Sequence, residues 1–209
     1  MAKLLILGAT GLVGERVMRL AIADPRVSAV IAPTRRPMAT QTRLENPVVN
    51  FDQLDSGAPW WRVDAVISAL GTTARATPSL FDYERIEVEY PIAVAKLTRD
   101  RGAAAFAYVS SVGASPTSRS LYLRRKATAE VRLQAIGFPS LTLIRPAGIV
   151  GPRQPARPAE RALLGTIRAI GAVLPRRWRV VTGEQVAKAL LEAVLVAAPG
   201  IRTIPSEAL

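Results

Sequence analysis

Short apolar runs alternate with stretches of helical spacing along this 209-residue chain. Lys3-Leu4-Leu5-Ile6-Leu7 reads as a first strand, apolar without alternation, as expected of a central parallel strand buried on both faces. Glu15 to Ala21 follows with helical spacing. Ala29–Ala32 predicts strand two, Val48–Phe51 strand three, Ala65–Ala69 strand four and Ala105–Val109 strand five. One helix is expected over about Tyr83 to Arg101, and another over 122–136 with Gly137 and Pro139 as stop signals. Strand six is Leu141–Ile144, and Thr182-Gly183-Glu184-Gln185 fits a capping box opening a helix through about Val196. Repeated units of this size predict an α/β fold, a doubly wound parallel sheet with helices on both faces. Ligands of such sheets sit beyond the carboxyl ends of the strands.

The tail from Arg145 differs in character. Gly151 to Pro158 is a proline-rich connection, and Glu160 to Ile170 an amphipathic piece. Residues 145–209 are therefore expected to supply a small cap on the substrate side and the last helix of a single domain spanning 1–209. The chain enters its first strand without a charged-then-apolar leader, and no apolar run approaches the ~20 residues of a membrane span. A soluble cytoplasmic protein is the expectation.

The chain has no cysteine and no histidine, which excludes disulfides, thiolate nucleophiles, Cys/His metal sites and any Ser-His-Asp triad. No metal site is expected, and a general acid/base must be Tyr, Lys, Asp or Glu. The net charge of +12 comes from 24 arginines and only four lysines, a bias of coding as much as of binding. Residues 145–179 concentrate it, with eight arginines against one acid, Glu160. That stripe lacks interleaved aromatics and any nucleic-acid module, so it reads as a solvated or substrate-facing surface and no nucleic-acid partner is expected. Trp60-Trp61 fits core, a dimer contact or a pocket edge equally well.

The candidate chemistry begins at Gly8-Ala9-Thr10-Gly11-Leu12-Val13-Gly14, between the first strand and the first helix. Glycine lets the backbone turn sharply and approach a pyrophosphate, whose charge sits against the amides and dipole of a helix N-terminus. The spacing is GxxGxxG, a variant of the GxGxxG fingerprint, and the whole turn, Thr10, Leu12 and Val13 included, is the candidate cofactor cradle. The second anchor is Tyr122-Leu123-Arg124-Arg125-Lys126. Residues four apart share a helix face, so phenol and ammonium project together, and a neighbouring cation favours the phenolate. Such a pair can pass a proton to a carbonyl oxygen; a core tyrosine beside a snorkelling lysine explains the spacing equally well. Ser110 and Ser111 follow strand five, where a hydroxyl could hold a substrate oxygen or merely cap a turn.

In that order on a βα repeat, Gly8-xx-Gly11-xx-Gly14, Ser110-Ser111 and Tyr122-xxx-Lys126 resemble the short-chain dehydrogenase/reductase superfamily, with its Rossmann-like fold, over nearly the whole chain. Ala69–Thr73, Tyr108–Ala114, Leu121–Leu123 and the Arg145-Pro146, Arg153-Gln154 and Arg157-Pro158 pairs are similar to its atypical branch of Tat-interacting-protein-like oxidoreductases and NAD(P)H-binding relatives. The resemblance implies Tyr122 as general acid/base, Lys126 on the nicotinamide ribose, Ser111 (ahead of Ser110) orienting the substrate, and Leu70-Gly71-Thr72 lining the cofactor. Two departures stand out. The helix from Tyr83 to Arg101 has no asparagine for the proton relay of many members, and the long C-terminal domain of the sugar-nucleotide epimerases is missing, so sugar-nucleotide chemistry is not expected.

Charge at the end of strand two decides the cofactor form. An acid there would accept the ribose hydroxyls of NAD, whereas Thr34-Arg35-Arg36 offers guanidinium groups to a 2′-phosphate. NADP(H) is expected in preference to NAD(H), with Asp52 on the adenine amino group and Gln53 assisting. The expected function is an NADP-dependent oxidoreductase acting on a small-molecule carbonyl substrate. A cofactor-sensing scaffold that binds a protein partner without turnover is the alternative. Helices on the sheet faces also leave room for a homodimer.

Overall fold

The computed structural model describes residues 1–72, 77, 79–151 and 179–209. β1 (Ala2–Leu7) lies between β2 (Val27–Ile31) and β4 (Ala65–Ser68), parallel to both. β3 (Leu44–Glu45) flanks β2; β5 (Ala105–Val109), β6 (Ser140–Arg145) and β9 (Gly200–Pro205) continue the other side, all parallel, in the order β3-β2-β1-β4-β5-β6-β9. Chain order reverses between β1 and β4, so a crevice opens beyond their carboxyl ends. β7 (Ile149–Val150) and β8 (Val181–Thr182) form a separate parallel ribbon.

The unbroken apolar run of β1 is explained by its two faces. Leu4 and Ile6 pack with Val17 of α1 (Gly14–Ala23) and with Val186 and Leu190 of α5 (Gly183–Val196). Leu5 and Leu7 pack on the opposite side, with Ile92 of α3 (Tyr90–Arg99) and Leu133 of α4 (Leu121–Ile136). Trp61 belongs to that second core, fully buried with its indole N–H on Asp55 O at 2.7 Å, which settles its role.

Three elements differ from the sequence expectation. Strand three is Leu44–Glu45, and Val48–Phe51 contributes only a bridge from Val48 to Thr34. Pro33 and Pro47 each lack the amide that a regular ladder needs. The helix expected from Tyr83 begins at Leu80 as α2 (Leu80–Glu84), capped by Ser79, whose hydroxyl accepts from Asp82 N at 3.1 Å. It then widens into a π-helical turn, Arg85–Glu89, before α3. Pro91 cannot donate to the carbonyl four residues back, Glu87 O, and the Tyr108 hydroxyl donates to it instead at 3.3 Å. Finally, Gly200–Pro205 is a seventh strand of the sheet, in register with β6, where only cap and helix were expected. Its residues are mostly exposed, so no buried apolar run marked it. The proline-rich connection after Gly151 and the amphipathic piece Glu160 to Ile170 lie outside the described residues.

Both helix ends read from the sequence are present. Gly137 closes α4 at φ +77°, a left-handed conformation that glycine adopts without strain. At α5 the Thr182 hydroxyl accepts from Gln185 N at 3.2 Å, and Gln185 Oε1 accepts from Thr182 N at 2.9 Å. Thr182→Ala is expected to remove about 1 kcal/mol of stability, read as a lower denaturant midpoint at unchanged slope. Among the described residues no helix is long and apolar enough to cross a membrane.

Candidate functional site

The glycine turn folds so tightly that two of its glycines touch backbone. Gly8 has φ +85°, and a Cβ there would lie 2.7 Å from Leu70 N. A Cβ on Gly14 would lie 2.0 Å from Gly8 O. Gly11 is different: it is exposed, and its Cβ would meet only Gly8 O, at 3.3 Å. Gly8 and Gly14 thus let the chain pack on itself, while Gly11, with its N–H on Gly8 O at 2.9 Å and its carbonyl accepting from Glu15 N at 3.0 Å, puts no side chain over the outer face of the turn. Thr10 is exposed beside it, Leu12 is half-buried and Val13 is buried in the core, so Val13 can offer only its backbone.

Arg35 and Arg36 are exposed at the end of β2. With Thr10 and Thr34 they line a cavity of about 460 Å³. A second cavity of about 540 Å³ lies alongside, lined by Asn50, Asp52, Thr72, Arg85 and Tyr90 among others, and Arg35 borders both. Asn46, unnoticed in the sequence, fixes the loop that carries the arginines. Its amide donates to Ala32 O at 2.5 Å and to the Thr34 hydroxyl at 2.8 Å, and its Oδ1 accepts from Met38 N at 2.7 Å. Thr34 in turn donates to Arg36 O at 2.6 Å.

Asp52 is already engaged within the protein. Its Oδ1 accepts from the Tyr90 hydroxyl and pairs with Arg85, whose guanidinium lies 5.2 Å from the Phe81 ring centre and 5.6 Å from that of Tyr90. Phe51 stacks on Tyr90 at 5.3 Å. Gln53 is exposed in the adjoining turn, its amide on Asn50 O at 3.1 Å.

Tyr122 and Lys126 lie one turn apart near the start of α4, as their spacing predicts. Tyr122 is 38 % exposed, whereas Lys126 is 3 % exposed, with its Nζ 5.8 Å from the Tyr122 ring centre. The loop after β5 packs on this helix, since a Cβ on Gly113 would touch Leu123 at 3.4 Å. Ser111, in that loop, is buried with its hydroxyl on Val112 O at 3.3 Å. The Ser110 hydroxyl is buried without a hydrogen-bond partner among the described residues.

Sequence reading missed what surrounds Lys126. Nζ lies 2.9 Å from Glu87 Oε2 and donates to Val109 O at 2.9 Å and to the Tyr108 hydroxyl at 3.2 Å. Glu87 Oε1 accepts from Thr72 N at 2.6 Å. The one signal was an acid set between two apolar residues, Ile86 and Val88. Burial opposes the Lys126 charge, but Tyr108, Glu87 and Tyr122 outweigh it and hold its pKa above the ordinary lysine value. Burial pushes the Tyr108 phenol up to about 12, with Glu87 adding to the rise and Lys126 opposing it. Tyr83 rises to about 12 chiefly through burial as well. A raised folded-state pKa gives stability that is fully present below about pH 10 and lost as pH climbs towards the folded value. Denaturant midpoints are therefore expected to drop steeply above about pH 10, and less steeply in Tyr108→Phe.

The sequence profile of the NAD dependent epimerase/dehydratase family matches residues 4–185. Among curated relatives, the chain is 29 % identical over 211 residues to "Protein fmp52, mitochondrial" of Emericella nidulans, covering 96 % of this chain and 90 % of that protein. It is 33 % identical over 173 residues to the protein of the same name from Aspergillus fumigatus, covering 78 % and 73 %. These names overturn the expected cytoplasmic location, for the relatives are mitochondrial proteins by name. The fold matches Bordetella bronchiseptica WbmH in complex with NAD+ at TM-score 0.70 and 17 % identity, over 99 % of this chain and 76 % of that one. It matches MoeE5 in complex with UDP-glucose and NAD at 0.72 and 17 %, over 97 % and 75 %. The PhqB reductase domain of Penicillium fellutanum matches at 0.70 and 18 %, over 97 % and 65 %. The chain belongs to the NAD dependent epimerase/dehydratase family, within the NAD(P)-binding short-chain dehydrogenase/reductase superfamily that its motifs resemble.

Proposed function

We propose that this protein is an NADP(H)-dependent oxidoreductase that reduces a small carbonyl compound, with Tyr122 as general acid/base. One observation carries the chemistry: an open phenol at Tyr122 stands over the buried cation of Lys126, one helical turn away. The cradle suits a dinucleotide, because Gly11 puts no side chain over the turn between the core-packed Gly8 and Gly14, next to the cavity bordered by Arg35 and Arg36. Bound NADPH supplies a hydride to the carbonyl carbon.

The chain's own residues do the rest. The backbone from Thr10 to Val13 receives the pyrophosphate, and Arg35 and Arg36 take the 2′-phosphate by charge-assisted hydrogen bonds. The cleft at Asp52, with Gln53 beside it, takes the adenine; Leu70, Gly71 and Thr72 line the opposite wall. Tyr122 gives its proton to the carbonyl oxygen and recovers one from solvent, while the Ser111 hydroxyl turns from Val112 O to hold that oxygen. Lys126 keeps a positive charge 5.8 Å from the ring centre of Tyr122.

A thermal-shift titration with NADPH, NADP, NADH and NAD tests the reading, on the wild type and on Arg35→Ala/Arg36→Ala. A ligand at 100 times its dissociation constant adds about 2.7 kcal/mol of stability. Stabilisation by the phosphorylated pair, lost in the double variant, is expected. No response to any of the four would sink the proposal, and equal responses to NADH and NADPH would remove the NADP preference.

A further inference from the structure

The Lys126 ammonium donates to Val109 O and to the Tyr108 hydroxyl, and forms a buried ion pair with Glu87 Oε2 at 2.9 Å. Glu87, 1 % exposed, stands on the π-helical turn and reaches two elements at once. Its second oxygen receives the Thr72 amide, and a Cβ on the neighbouring Gly71 would lie 3.4 Å from that oxygen and 4.0 Å from Lys126 Nζ. The carboxylate therefore sits between the helix bearing Tyr122 and the loop after β4. A carboxylate buried only to hold a fold gains little over apolar packing. A carboxylate that fixes a cation and a loop amide together sets a distance across the crevice.

We propose that Glu87 is a positioning residue that clamps the Lys126 ammonium and the Thr72 amide as one unit, so that the acid/base helix and the cofactor-lining loop keep a fixed relation. This rests on the functional reading above only for what the two sides do. Among the described residues, the ionisable groups facing Lys126 are Glu87 from the π-helical turn, Tyr83 from α2, Tyr108 from β5 and Tyr122 from α4 itself.

Amide hydrogen exchange at Thr72 in the full chain tests the clamp without any ligand. Lys126→Met leaves Glu87 without its cation and is expected to speed Thr72 exchange at least about tenfold, although the lysine does not itself hold that amide. Glu87→Gln/Lys126→Met keeps an oxygen for the Thr72 amide with no unpaired charge, and is expected to restore slow exchange and most of the melting temperature. Unchanged Thr72 exchange in Lys126→Met, or a double variant no better than the single one, overturns the clamp. A second readout concerns the cofactor. In Glu87→Gln, NADPH affinity is expected to fall about tenfold and to weaken further as rising pH strips the unpaired ammonium, with the wild type flat over that range and Glu87→Asp intermediate. A wild-type affinity and flat profile in Glu87→Gln also overturns the proposal. If the wild type binds none of the four dinucleotides, the functional reading fails while the exchange comparison still decides the clamp.

Discussion

Gly14→Ala is expected to yield no stably folded protein. The added methyl would sit 2.0 Å from Gly8 O, 2.6 Å from Gly8 C and 3.0 Å from Ala9 Cα, all backbone atoms of the turn. No rotamer can relieve a backbone clash, so the turn and the start of α1 must separate, and with them Val13 and Val17 from the core. A penalty of about 5 kcal/mol or more lies within the whole stability of a typical domain. Circular dichroism at room temperature checks it, and a cooperative melt near the wild-type temperature would show the packing of the turn to be wrong. Gly11→Ala is the control, for it meets a single atom at 3.3 Å. It is expected to fold and to lose dinucleotide stabilisation instead.

Tyr122→Phe is expected to lower NADPH-dependent reduction of an accepted carbonyl compound by about 10²–10⁴-fold. The hydroxyl sits on a residue 38 % exposed, so the melting temperature should hardly move and NADPH should still stabilise the variant. The split is the point of the experiment. Full turnover in Tyr122→Phe would reassign the proton donor, whereas loss of both binding and stability would make the tyrosine a packing residue.

Much of the sheet was legible because its strands are buried on both faces and write themselves as apolar runs: β5 falls where the sequence puts it, and β1 and β6 only a residue or so longer. The glycine turn, the Gly137 stop and the Thr182 box were legible because each depends on near neighbours in the chain. What failed was non-local. β9 is exposed and recognisable only by its pairing with β6, and the irregular stretch around Val48 depends on Asn46 reaching back to Ala32 and Thr34. The π-helical turn follows from Pro91, but its consequence, Glu87 turned onto Lys126, needs residues 39 positions apart to meet. Spacing alone paired Tyr122 with Lys126 and said nothing of that counter-charge.

The crossover from β6 to β9 has a consequence for how the chain acquires its fold during synthesis. Leu4 and Ile6 emerge early, with Val17 of α1 soon after, yet Val186 and Leu190, which complete the cover of that face, follow about 180 residues later. At roughly 5–20 residues per second, that face waits on the order of ten seconds or more for the second half of its cover. The opposite face closes sooner, once α3 and α4 are made. A nascent chain thus passes through a stage with one side of its central strand sealed and the other covered by α1 alone, when holdase chaperones have the most to bind.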